Sequence, residues 1–288
     1  MQQPKRVHIP LTTIGRRIDL RDRTNAGIAA LSLCVVAAGA LLHLGRGSGM
    51  GSSLMTGLAW GGSAFLSWAV ARETDPDRWL SAFFAAGGAL AGVILLGNPH
   101  FLLLLWILLA LRYVNRTTGL APGVLDWIGM CGILLWLGFS THWTIPLLAF
   151  LTVFFAGLRR LPSALRIGLP LLLLAATVTY GLLQAWHFTI PALNNAEILV
   201  IAGVPLAVLP VIVSYRRTSS VGDQTGTPLT AYRLQWAIAW AVVAALVLTL
   251  SGTAKVADIA PLWSALAGSA LGWALNAVSR RTRHSSSP

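Results

Sequence analysis

The stretch LGNPHFLLLLWILLALRYVNR, residues 96–116, contains a turn signal, an uncharged run and a basic end within one short segment. Pro99 after Asn98 removes a backbone donor and stops a helix. The eleven residues from Phe101 to Leu111 carry no charge, and Arg112 and Arg116 close the run. If Gly97–His100 were ignored, the run would join the apolar segment before it and be too long for one bilayer crossing. If 100–114 were re-entrant, Arg112 and Arg116 would fall on the charge-poor side. The stretch therefore predicts a short helix that ends on a basic face, and the same pattern recurs along the chain.

The sequence has 288 residues, 56% hydrophobic and 10% charged, with mean hydropathy +0.71. Soluble domains carry about 25% charged residues, so this chain has too few to cover a surface facing water. A spanning helix needs about 20 mostly apolar residues, and backbone in hydrocarbon must satisfy its own hydrogen bonds. Ten runs qualify, at about 26–45, 51–71, 79–97, 100–114, 123–140, 143–158, 167–187, 195–214, 234–252 and 259–278. The fold expected is all-α, a polytopic membrane helix bundle of about ten transmembrane helices with both termini cytoplasmic. Segment 1–25 is a basic cytoplasmic extension, 26–278 the bundle with a polar cytoplasmic loop at 215–233, and 279–288 a basic disordered tail.

The sidedness rests on charge. With the N-terminus inside, 19 of the 21 Lys and Arg residues fall on the inner side, and only Arg46 and Lys255 lie outside. That is the positive-inside pattern of a multi-pass protein of the cell membrane. The net charge of +12 has the same origin. The basic residues cluster at the ends of apolar runs and form no stripe beside stacking aromatics, which argues against nucleic acid as partner. The first apolar run continues past Ala40 into LLHLG and reads as an uncleaved span. Cys34 and Cys131 lie within apolar runs, as small packing residues.

The segment ARETDPDRW, 71–79, holds three of the nine acidic residues: Glu73, Asp75 and Asp77. One reading is the start of the third span, with Asp as N-cap and Pro76 at the first helical position. Another is a Mg²⁺ site for a diphosphate or lipid phosphate, with Arg112, Asn115 and Arg116 on the phosphate, and a third is a salt-bridged clasp of this loop to RYVNRTTG, 112–119. Intramembrane prenyltransferases of the ubiquinone-synthesis type carry Asp-rich motifs. Here the i, i+2, i+4 spacing across a proline and the lack of a second Asp-rich loop depart from that pattern. RETDPD, 72–77, resembles Arg-Glu-x-Asp-Pro-Asp segments of uncharacterised prokaryotic multi-pass membrane proteins. That resemblance covers about a dozen residues and implies no activity.

Two further groups are candidates. His43, His100, His142 and His187 map to the outer side with Glu197, where they could converge on a metal or sit as neutral interface residues. Gly203, Pro205 and Pro210 lie in one span, either as a plain kink or as the substrate-binding gate of a broken helix. Gly57–Gly61, Gly88–Gly92 and Gly268–Gly272 permit close helix approach, within the bundle or toward a homodimer or membrane partner. No Asp, Glu, Lys or Arg lies at mid-span, which disfavours a carboxylate relay. The helix ends YRRTSS, 215–220, and SRRTRHSSS, 279–287, look alike.

Length and topology are similar to the drug/metabolite transporter class, though the long basic N-terminal segment is unusual for it. The leading expectation is a small-solute permease with no cofactor. The alternative is a membrane enzyme acting on a lipid-linked phosphate with Mg²⁺ at the cytoplasmic face. A non-catalytic partner subunit is the third.

Overall fold

A computed structural model describes residues 12–15, 18–120, 122–140, 143–156, 165–183, 191–216, 218–223 and 225–285. The described residues form ten helices: α1 (Arg23–Gly45), α2 (Met50–Thr74), α3 (Trp79–Leu96), α4 (Phe101–Asn115) and α5 (Val124–Ser140), then α6 (Thr144–Ala156), α7 (Leu165–Leu183), α8 (Asn195–Ser214), α9 (Ala231–Leu250) and α10 (Ala260–Ser285). Extended pairing among them is limited to one isolated bridge, Val221 with Pro228, in the α8–α9 connection.

Each helix lies over one of the ten apolar runs. The break at 97–100 is real: Gly97 caps α3 at φ 101°, a left-handed conformation that glycine tolerates. His100 caps α4, its Nδ1 accepting from the Leu103 N–H at 3.3 Å. α10 differs from its run, continuing to Ser285 through residues read from the sequence as a disordered tail. Extending a formed helix costs far less than nucleating one.

Among the described residues five helices, α1, α2, α3, α8 and α9, are long and apolar enough to cross a membrane. Shorter apolar stretches cover Phe101–Asn115, Val124–Gly138, Thr144–Ala156 and Gly168–Leu183. Large apolar side chains face outward, among them Leu33, Leu95, Trp136, Leu183 and Leu199, each at least 70% exposed. In water such a surface would aggregate; in lipid it is the ordinary outer face.

Inside, α4 packs against α2, α5, α6 and α9. Trp106 of α4 and Trp240 of α9 are buried, with ring centroids 6.2 Å apart. Leu104, Ile107 and Leu111 complete the buried face of α4. A second group joins α2, α3 and α10, with α1 laid along α2.

Small residues make these contacts close, since lipid supplies little hydrophobic drive between helices. Gly57 and Gly61 face α1, and a Cβ at Gly61 would stand 2.6 Å from the Ser32 carbonyl oxygen. Gly268 and Gly272 face α3, and a Cβ at Gly268 would stand 2.5 Å from the Ser81 carbonyl oxygen. Gly88 and Gly92 meet Ser264 and Ala260 of α10. All three glycine pairs are therefore occupied by helices of the same chain.

Gly268→Ala should lower stability by about 1–3 kcal/mol through overpacking against backbone. Gly132→Ala, where a Cβ meets nothing within 4 Å, should leave it unchanged or raise it. Thermal melts of the detergent-solubilised protein distinguish the two.

Candidate functional site: the arginine-rich face

α2 leaves its apolar stretch at Ala71 and ends two residues after Arg72, so its last turn carries charge into packed protein. Glu73 is fully buried. Its carboxylate accepts from Arg112 Nε at 2.9 Å, Asn115 Nδ2 at 3.1 Å and Thr117 Oγ1 at 2.5 Å. Asn115 also donates to the Glu73 backbone carbonyl at 2.7 Å, and Arg112 reaches the Ile14 carbonyl at 3.3 Å. One carboxylate thus ties the end of α2 to the end of α4 and to the segment before α1. Arg116 is the C-cap of α4, in the left-handed region at φ 54°.

Asp75 is the C-cap of α2 and is also buried. It accepts from Ser81 Oγ at 2.5 Å, from Arg78 at 3.0 Å and from the Tyr215 hydroxyl. Burial pushes the Asp75 carboxyl above the usual carboxylate range, opposed by Arg78, Ser81 and Tyr215. Burial and the adjacent Asp75 push the Tyr215 phenol up. Asp77 turns elsewhere, toward the α8–α9 connection. It accepts from the N–H and hydroxyl of Ser219 at 3.3 and 3.0 Å, and from those of Ser220 at 2.9 and 2.6 Å.

The helix-start reading of this segment needs correction. α3 begins at Trp79 with Arg78 as N-cap, and no side chain caps it. Asp75 and Asp77 are drawn away by hydroxyl and guanidinium partners whose hydrogen bonds compete with a local cap. The three acids also have separate partner sets, so they line no common cation site. Among the described residues no group of three His, Cys, Asp or Glu side chains is placed to hold a metal ion.

Beside the Asp75 and Asp77 groups lies a pocket of about 640 Å³, walled by Arg78, the end of α8 (Ser214–Arg216), Ser219 and the α10 residues Trp273, Asn276 and Arg280. Arg78 is held in place: it donates to Asp75 and to Ser214 Oγ at 3.2 Å, and its guanidinium lies over the Tyr215 ring at 5.4 Å. Among the described residues Arg216 and Arg280 have no carboxylate partner. Asp77, the one acid lining the pocket among the described residues, is hydrogen-bonded by Ser219 and Ser220 and offsets one of these two charges. The pocket therefore presents surplus positive charge beside hydroxyl and amide groups.

The other candidates are placed apart. His100 caps α4, and Glu197 forms a capping box with Asn194 at the start of α8. His43 Nδ1 lies 3.4 Å from Ser48 Oγ. His142 and His187 lie outside the described residues. α8 runs without interruption through Gly203, Pro205 and Pro210, and a Cβ at Gly203 would meet only Leu199.

Sequence reasoning brought Glu73, Arg112 and Asn115 together but missed Tyr215, Ser219, Arg216, Trp273 and Arg280. The likeness of the two basic helix ends, 215–220 and 279–287, was the available signal. Those ends now share one pocket.

Glu73→Ala leaves the Arg112 guanidinium without its counter-charge and should cost about 3–5 kcal/mol. The double variant Glu73→Leu, Arg112→Met should recover much of that loss, measured by denaturant or thermal unfolding in detergent. The chain matches no protein-family model, no curated protein and no solved structure, so the functional reading rests on this geometry.

Proposed function

We propose that this chain is an integral protein of the cell membrane, crossing the bilayer ten times with both ends cytoplasmic, that binds a phosphate-bearing anion at its arginine-rich face. One observation carries the binding reading: Arg78, Arg216 and Arg280, distant in sequence, line one pocket. Guanidinium is a planar fork matched to phosphate oxygens, and its charge persists at every physiological pH. The pocket volume falls in the usual range for small-ligand sites, about 300–1,000 Å³. Ser214, Thr218 and Asn276 add neutral hydrogen-bonding groups.

The permease reading draws less support. Its gate would require a polar path beside α8, whereas the residues that α8 buries in the bundle are Val208 and Val211. The lipid-phosphate enzyme shares the ligand class, yet Glu73 and Asp75 are committed to protein donors.

Two measurements test the proposal. With Cys34 and Cys131 replaced, a cysteine at position 46 should react with an impermeant reagent from outside intact cells, and one at position 219 only after permeabilisation. Equal labelling of both would overturn the topology. For binding, inorganic phosphate, glycerol phosphate and phosphatidic acid serve as probes in thermal melts. At least one should stabilise the wild type and none should stabilise the Arg216→Ala, Arg280→Ala double variant. Wild type unresponsive to every probe, or an equally stabilised variant, would overturn it.

A further inference from the structure

The depth of the pocket narrows its ligand. Gly92 faces Ala260, Gly88 faces Ser264, and Gly268 faces Ser81 and Ala85. α3 and α10 are therefore antiparallel, and Trp79 at the start of α3 stands near residue 274 of α10. From Ala260 to Ser279, α10 carries no charged residue, and Arg280 is the first. At 1.5 Å per residue that uncharged stretch is about 30 Å, the thickness of the hydrocarbon core.

Trp273, Asn276 and Arg280 thus line the pocket in the last turns before the interface. On the opposite side of the same turns, Leu271, Leu275 and Val278 are 54%, 48% and 60% exposed. Such side chains suit the inner leaflet and would be a liability in water. Trp79, exposed at the same level, is an interface anchor. The cations sit where phospholipid phosphates sit. Basic pockets between helices on the cytoplasmic side are the expected receptors for anionic headgroups.

An apolar track leads to the same place. Leu206, Leu209 and Val213 point outward along α8, and the next residue, Ser214, lines the pocket. A chain lying on that stripe would deliver its head to Arg78 and Arg216.

We propose that the pocket holds the headgroup of a phosphomonoester lipid of the cytoplasmic leaflet. This rests on the anion-binding reading above and adds the source and charge state of the ligand. A monoester carries about −1.5 to −2 at neutral pH and three terminal oxygens, which Arg216 and Arg280, neither paired with a carboxylate among the described residues, can meet together with the Arg78 donors already oriented by Asp75; a diester offers a single charge and two such oxygens.

The test is native mass spectrometry of the full chain in mild detergent, supplied with phosphatidic acid, phosphatidylglycerol or phosphatidylcholine, with glycerol phosphate as soluble competitor. Wild type should retain phosphatidic acid about tenfold better than phosphatidylglycerol, which corresponds to about 1.4 kcal/mol. The Arg216→Ala, Arg280→Ala variant should lose that retention, while Arg46→Ala, at the other end of the bundle, should keep it. Matching circular dichroism melts exclude misfolding. Displacement by glycerol phosphate at concentrations comparable to those of the lipid would overturn the lipid assignment and leave anion binding standing. Equal retention of phosphatidylglycerol, lost in the double variant, would overturn the monoester assignment. No retention of any anionic lipid and no effect of glycerol phosphate would overturn both readings.

Discussion

A carboxylate with no access to water must be neutralised by its own chain, and Glu73 is that group here. Leaving it unpaired would cost several kcal/mol. Arg112, Asn115 and Thr117 supply the donors, which obliges α4 to end beside the end of α2. Arg112 then holds Ile14 as well, drawing the segment before α1 to the same point. Asp75 repeats the arrangement with Arg78, Ser81 and Tyr215, and so brings the end of α8 to the end of α2. The basic face is built on these buried acids, and Arg78 and Tyr215, the partners of Asp75, form one wall of the pocket.

Away from that face the interior follows other rules. Few polar groups are available to specify the packing, so it is set by shape. Glycines at 57, 61, 268 and 272 let backbones approach where any Cβ would meet a neighbouring chain atom. Trp106 and Trp240 fill the space between α4 and α9. Ser67 illustrates the economy of the arrangement: its hydroxyl lies within hydrogen-bond distance of the Ala85 and Pro261 carbonyls, linking α2 to α3 and α10. The outer surface needs no such matching, because lipid accepts any apolar side chain.

The arginines of the pocket play different parts. Arg78 is fixed by Asp75, Ser214 and the Tyr215 ring, so its position is paid in advance of any ligand. Among the described residues Arg216 and Arg280 have no carboxylate partner, and they supply the surplus charge. A rigid cation beside two adaptable ones suits an anion whose oxygens must be met from several directions. Asp77 holds the Ser219–Ser220 turn against the α2–α3 connection, and its charge offsets part of that surplus.

All ten helices were legible in the chain because hydrophobic runs and their breakers are local signals: Pro99, Gly97 and the Arg-bearing ends marked the segments near their observed places, except the end of α10, which runs on to Ser285. The grouping of Arg112 and Asn115 with the acid cluster was legible too, since charge alternation put those residues on one face. The actual partner of each acid was not. Asp75 and Tyr215 are 140 residues apart, and a hydrogen bond at that separation leaves no periodicity or spacing to read. The sequence by itself determined helices, apolar exterior and the distribution of cations, because hydropathy and charge act residue by residue. Only the tertiary structure decided that Asp75 and Asp77 are structural clasps and that Arg78, Arg216 and Arg280 share a pocket, because desolvation and hydrogen-bond geometry exist only once distant segments are packed together.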